Sequence, residues 1–187
     1  MKIRETFQIE SPHASVWEFI VDPFKIGACL PSVESVQIVD DRHYKAIVKQ
    51  KVGFISATFE IHTEVLERTA PLRLVLSNKG KTISGADGRL HSKDTITLKA
   101  LSDRLTEVNL ESELILGGKL AVLGAKMIEA KSKEIFTEAT NNLRARLEGV
   151  EPAAAPAGKL RVLLRSLMLR LRGLLPKKWT EDAPNRG

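Results

Sequence analysis

RLTEVNLESELILGGKLAVLGAKMIEA, residues 104–130, changes its repeat half-way along. In the first half Val108, Leu110, Leu114 and Leu116 alternate with Glu107, Asn109, Glu111 and Glu113. That is the period of a strand with one wet face. Gly117-Gly118 ends the alternation. From there Leu120, Leu123, Gly124, Met127, Ile128, Ile135, Phe136, Ala139, Leu143 and Leu147 recur at three and four. The spacing predicts one long helix over 119–148, with Gly149 as its stop. A helix with such a stripe must bury it, and the apolar face of the preceding sheet is the surface on offer. The fold class is therefore α+β: a curved antiparallel sheet wrapped on a long C-terminal helix.

Working upstream, the same two-residue period recurs over 34–40, 43–52, 54–67, 72–78 and 87–99, an antiparallel meander with one solvated face. In 54–67, Ala57, Phe59, Ile61 and Val65 share one side, and Ser56, Thr58, Glu60, His62 and Glu64 the other. Residues 3–10 form a further strand. Ser11-Pro12 reads as a helix start with Ser11 as cap, and Val16, Trp17, Phe19 and Ile20 supply the buried face of that short helix. A second short helix ends at Pro31. Gly80, Gly85 and Gly88 read as a hairpin loop requiring positive φ.

The net charge of +6 is unevenly placed. Residues 1–150 hold 21 basic against 20 acidic side chains, and residues 151–187 hold 8 against 3. The main domain lacks the basic face of a nucleic-acid binder, and no nucleic-acid partner is expected. One cysteine, Cys29, and an N-terminus without an apolar signal core point to the cytoplasm.

Nothing in the sequence assembles a catalytic or metal site. The histidines at 13, 43, 62 and 91 are scattered, and His62-Thr63-Glu64 is not a helical zinc pair. Cys29 stands alone in an apolar setting, as a structural thiol does. Asp40-Asp41 sit in a turn.

Residues 1–149 thus form the main domain. The segment 150–158 is a Pro/Ala linker that cannot pack, 159–179 a basic amphipathic helix, and 180–187 a polar end. Placed on a helix, Leu160, Leu163, Leu164, Leu167, Met168, Leu171, Leu174 and Leu175 make one stripe, flanked by Arg161, Arg165 and Arg172. Lys177, Lys178 and Trp179 extend it. Seventeen residues reach about 25 Å, short of a bilayer core of roughly 30 Å. Four internal arginines cost about 10 kcal/mol or more at the centre, against about 5 recovered by ten aliphatic residues. Spanning loses. Lying in the interface lets the arginines snorkel to phosphate, each basic group adding about 1 kcal/mol on an anionic leaflet. Folding back over the domain or docking on a partner protein is the competing reading.

The strings DPFKIGACLPSVESV (22–36), GKTISGADG (80–88) and GGKLAVLGAKMI (117–128), in this order and spacing, resemble the CoxG family, the G subunits of carbon monoxide dehydrogenase. That family lies within the START-like (SRPBCC) helix-grip superfamily. One departure is Ser32, where the family usually follows this proline with glycine.

The resemblance implies a cavity between sheet and long helix that holds an apolar guest, a quinone or other isoprenoid lipid in its sharpest form. It also implies service to a molybdenum-containing CO dehydrogenase-type oxidoreductase at the cytoplasmic membrane, as electron-acceptor carrier or as recruiter. The sequence leaves room for such a guest where Gly124 and Ala130 of the helix meet Ala46 and Ala57 of the sheet. The expected lining is Phe59, Ile61, Leu74, Leu76, Leu110, Leu123, Gly124, Met127 and Ile128, although each of these side chains could equally close the gap as core. Ser92, Asp94 and Ser112 fall on inward parity, so Ser92 and Ser112 are candidates to bond a ligand carbonyl, with strand-end exposure or a shift of register the competing readings. The expectation is a binding protein peripheral on the inner face of the membrane, and not an enzyme. A purely structural membrane adaptor and a small-molecule enzyme of the superfamily are the alternatives; the latter needs an inward polar dyad.

Overall fold

The computed structural model describes residues 1–149. The linker, the amphipathic segment 159–179 and the polar end, with the membrane-binding residues expected there, lie outside the described residues. The elements are β1 (Lys2–Ile9), α1 (His13–Ile20), α2 (Pro23–Gly27), β2 (Val33–Ile38), β3 (His43–Val52), β4 (Ile55–Thr69), β5 (Arg73–Gly85), β6 (Gly88–Ser102) and β7 (Leu105–Gly118). A 3₁₀ turn (Lys119–Leu123) then leads into α3 (Ala125–Leu147). The strands form one antiparallel sheet in the order β1-β7-β6-β5-β4-β3-β2. Register shifts at Thr58/Phe59, Val65/Glu67 and Ala100/Ser102 bend the long strands, which is how a sheet of this length curls around a helix.

Residues of one parity on each strand face α3, and they divide into two apolar clusters. At one end Ile9, Val16, Trp17, Ile20, Cys29, Val65, Leu74, Leu98, Val108 and Leu143 pack together beneath α1 and the last turns of α3. At the other, Ile55, Ala57 and Phe59 of β4 meet Leu120, Leu123 and Ile128. Alternation in the sequence selects these residues because one apolar face per strand can leave water only by turning inward.

The structure corrects several local expectations. Ser11 is not a cap: the helix opens at Pro12, and Ser11 is buried with its carbonyl accepting from Thr106 Oγ1 at 2.8 Å. Asp22 is a cap, accepting from the amides of Phe24 and Lys25 and starting α2. β5 runs to Gly85 and does not end at 78. Of the three glycines read as a loop, only Gly85 has positive φ (88°). Gly80 and Gly88 lie in strands, where a Cβ would sit 2.7 Å from Leu90 and Leu120 respectively. Finally, the 119–148 helix is interrupted: Gly124, at φ 76°, separates the 3₁₀ turn from α3. The expected stop is in place, with Gly149 left-handed at φ 72° after Glu148.

Candidate functional site

The interior is filled at its ends and slack between them. α3 contributes Ile128 to one cluster and Leu143 and Leu147 to the other, with Thr140 buried and Asn142 bonded to the Cys29 carbonyl just before them; no apolar side chain from 129–139 joins either. Those eleven positions span about 16 Å of helix. Beneath them Leu76 on β5, Ile96 on β6 and Leu110 and Leu114 on β7 point inward on central or near-central strands yet are only half-buried. A close-packed core would leave such side chains fully buried. Phe136 from the helix and Phe7 from β1 meet edge to face, 5.4 Å apart, on one side of this space.

The middle of the sheet floor is polar. Register places Thr63, Asn78 and Ser92 in one row across β4, β5 and β6, and Asp94 opposite Ser112 in the next row. Asn78 Nδ2 donates to Asp94 Oδ2 at 2.7 Å and to Ser92 Oγ at 3.1 Å. Ser92 Oγ donates to the same carboxylate at 3.2 Å, and Ser112 Oγ to Asp94 Oδ1 at 2.5 Å. Thr63 Oγ1 donates to Asn78 Oδ1 at 2.7 Å. Side chains from four strands therefore form one network around a single carboxyl group. Burial pushes the Asp94 pKa up, and the bonds from Ser112, Ser92 and Asn78 only partly offset it. A carboxyl held toward its neutral form can donate a hydrogen bond as well as accept one.

The expected lining residues thus separate into three groups. Phe59, Leu74, Leu123 and Ile128 are buried members of the two clusters. Leu76, Leu110 and Ile61 lie half-buried on the concave face, where Ser92 and Ser112 join the Asp94 network. Gly124 and Met127 belong to neither. Gly124 is the joint before α3, and Met127 sits over the β3–β4 turn, its Sδ 2.8 Å from where a Gly53 Cβ would be. Of the small residues expected to leave room, Gly124 lines a cleft beside β7, whereas Ala130 is exposed and Ala57 is packed beneath Leu120 and Leu123. The polar inward residues do not lie at strand ends; they are mid-strand and in register. Asn78 and Thr63 belong to the site without having been expected there. A strand ended at 78 hides Asn78, although it shares the parity of Leu74 and Leu76.

A cleft of about 180 Å³ opens where β7 meets the 3₁₀ turn and α3, lined by Leu114, Leu116, Leu120, Ala121, Gly124 and Ile128 among others. Leu114 lies opposite Ser92 in the sheet, so the cleft approaches the polar network along β7. Cys29 is fully buried, and burial raises its thiol pKa despite the nearby Arg146 charge. That is the state of an inert thiol. His62 pairs with Glu60 at 3.0 Å on the opposite face of the sheet, away from the interior.

With this geometry in place, comparison with known proteins settles the lineage. A family profile for the carbon monoxide dehydrogenase G subunit (CoxG) matches residues 6–148. The chain belongs to the CoxG family. Among solved structures, a conserved protein from Geobacillus kaustophilus superposes with TM-score 0.74 at 18% identity, covering 80% of this chain and 96% of that one. A START superfamily protein from Mycobacterium smegmatis gives 0.62 at 10% identity, covering 80% and 98%. The Zhui aromatase/cyclase from Streptomyces sp. R1128 gives 0.60 at 14%, covering 79% and 93%. These likenesses establish a START-like helix-grip fold for the CoxG chain. A comparison with curated proteins yields no match. Among the described residues no helix is long and apolar enough to cross a membrane.

Proposed function

We propose that this CoxG-family chain binds an apolar small molecule with a hydrogen-bonding head, a quinone or related isoprenoid, between its sheet and α3. It works at the cytoplasmic membrane for a molybdenum-containing CO dehydrogenase-type oxidoreductase, the system in the family's name, as carrier of the electron acceptor or as membrane recruiter. The observation that carries the reading is the Asp94 network at the centre of a half-filled apolar interior. A protein that needed only a stable core would not hold a carboxyl there, since burying it costs unless every lone pair is matched.

The residues fit such a guest in both parts. The hydroxyls of Ser92 and Ser112 and the carboxyl of Asp94 can serve a carbonyl or hydroxyl head. Leu76, Leu110 and Leu114 offer an apolar floor. The cleft of about 180 Å³, which adjoins this floor at Leu114 without being lined by the polar residues, is large enough for one ring; an apolar cavity of about 150 Å³ holds benzene. A longer isoprenoid tail must therefore leave through the open end. The redox chemistry stays with the guest, and this chain's part is to bind and orient it.

The test is extraction and mass spectrometry of lipid co-purifying with the full chain, alongside a Ser92→Ala/Ser112→Ala variant. A retained molecule with an oxygenated head, lost or reduced about tenfold in the variant, is the expected result. An empty protein to which added quinone does not bind refutes the proposal and favours the structural adaptor.

A second reading has one specific observation behind it. An inward polar constellation exists around Asp94, whose carboxyl is held toward its protonated form. As an enzyme, the chain would use Asp94 to protonate or polarise a substrate carbonyl. Recovery of a chemically altered product after incubation with the extracted guest would favour it over the carrier.

A further inference from the structure

The end of the domain where the cleft opens carries large apolar side chains pointing at water. Phe54, in the β3–β4 turn, is 84% exposed, and Val122, in the 3₁₀ turn, is 77% exposed. Contacts tie these turns into one rim. Met127 Sδ lies against Gly53, the Ala86 amide donates to the Ser56 carbonyl, and the Lys119 amide donates to the Asp87 carbonyl. Beneath them Ile55, Leu120, Leu123 and Ile128 form a buried base, so Phe54 and Val122 project from a firm mount. Core packing does not use these two side chains.

The rim is also cationic. Lys51, Lys119 and Lys126 stand on it against Asp87, and none of the three lysines has an ion-pair partner among the described residues. The first turn of α3 contains Lys126 and no acidic residue, so the positive end of the helix dipole is reinforced. A sequence tuned only for helix stability would put an acid there.

We infer that this rim is a membrane-contact surface, with Phe54 and Val122 entering the acyl boundary and Lys51, Lys119 and Lys126 meeting anionic phosphates. Two apolar tips on separate turns, ringed by free lysines, suit a bilayer, because lysine is depleted from protein–protein interfaces. Docked this way, the cleft faces the lipid, and an apolar guest would pass between them without crossing water. The inference rests on the reading that the chain works at a membrane, but it assigns that contact to the domain in addition to 159–179.

The experiment uses the full chain with an environment-sensitive fluorophore on Ser56→Cys at the rim or Asp103→Cys at the opposite end. Cys29 is buried and stays unlabelled. Phosphatidylglycerol/phosphatidylethanolamine vesicles are added, some containing doxyl-labelled lipid. The rim label should shift to the blue and be quenched, and the distal label should do neither. Phe54→Asp/Val122→Asp should abolish the rim response while the chain still co-sediments, its melting temperature unchanged because both sites are solvent-facing. A silent rim label on a chain that still pellets overturns the inference, leaves membrane association through 159–179 standing, and turns the rim toward a protein partner. Equal responses at both ends overturn it as well. A chain that does not pellet refutes the membrane reading itself.

Discussion

The capped end of this interior and its middle are built from the same alternating strands and come out differently. Under α1 the helix and sheet close completely: Ile9, Val16 and Cys29 have no exposure, and Asn142 and Arg146 of α3 bond to the carbonyls of Cys29 and Ala28 to hold the corner. Midway along, no apolar side chain of α3 from 129–139 joins a cluster and polar groups replace aliphatic ones on the floor, before Leu120, Leu123 and Ile128 close again on Ile55, Ala57 and Phe59. The difference teaches that helix-grip stability is concentrated where α1 and α2 cap the grip. The middle of the sheet carries the polar floor instead.

The sharpest way to break this contrast compares one substitution at two sites. Leu74→Ala, in the closed cluster, should cost about 2–5 kcal/mol, since it leaves a cavity that cannot collapse. Leu110→Ala, facing the slack middle, should cost about 1–2 kcal/mol, because it removes transfer energy from a side chain already beside open space. Urea denaturation decides. Equal losses at the two sites would mean the middle is as densely packed as the end, and the binding reading would go with it. Next in size is Gly85→Ala at the open end. Gly85 has φ 88°, and a Cβ there would strike the Ser56 carbonyl. A loss of about 1–3 kcal/mol is expected, with the hairpin that supports the rim distorted.

A smaller effect is recognised by its pH dependence. The native state favours protonated Asp94, because burial raises its pKa more than its three donors lower it. A group with a raised folded pKa adds stability that is fully present below its unfolded value, about 3.9, and lost as pH rises through the folded value. Asp94→Asn keeps the size of the side chain without the titration, and the hydroxyls of Ser92, Ser112 and Thr63 can rotate to serve an amide. The variant should therefore gain on the native chain as pH rises from 4 to about 7. Thermal melts at several pH values measure the difference; one that stays flat across that range would mean Asp94 is well solvated and the polar floor is not buried.

How much of this was legible in the sequence depends on the kind of signal. The strands of the meander and the helix after Gly118 were readable because period two and period 3.6 each persist over many residues. The far half of β5 was not, since KGKTISG carries none of the large apolar residues that mark a strand, apart from a single isoleucine. Its Gly80 is there so that Leu90 can lie over it, which only the paired sheet reveals. Gly124 was hidden for the opposite reason: the apolar spacing continues through it, while its positive φ breaks the helix. The candidate site was half visible. Parity placed Ser92, Asp94 and Ser112 inward, but their convergence on one carboxyl depends on cross-strand register, which alternation within single strands does not encode.

The smallest expected effect lies outside both ends, on the edge where α2 hands over to β2. Ser32 is the one non-glycine residue with positive φ, at 67°, among the described residues. The turn is held from both sides, with the Ser32 carbonyl accepting from the Lys49 amide at 2.9 Å and Val33 pairing with Val48. The serine is therefore forced into a left-handed conformation that costs an L-residue roughly 1–2 kcal/mol. Glycine would relieve that strain but lose about 0.4–1 kcal/mol through its more mobile unfolded chain. Ser32→Gly should therefore stabilise by about 1 kcal/mol or less, a rise of a few degrees in melting temperature. Because the turn lies away from the polar floor of the slack middle, the variant should leave guest retention unchanged. A drop in retention would tie the edge of the sheet to the interior and blur the division drawn between them.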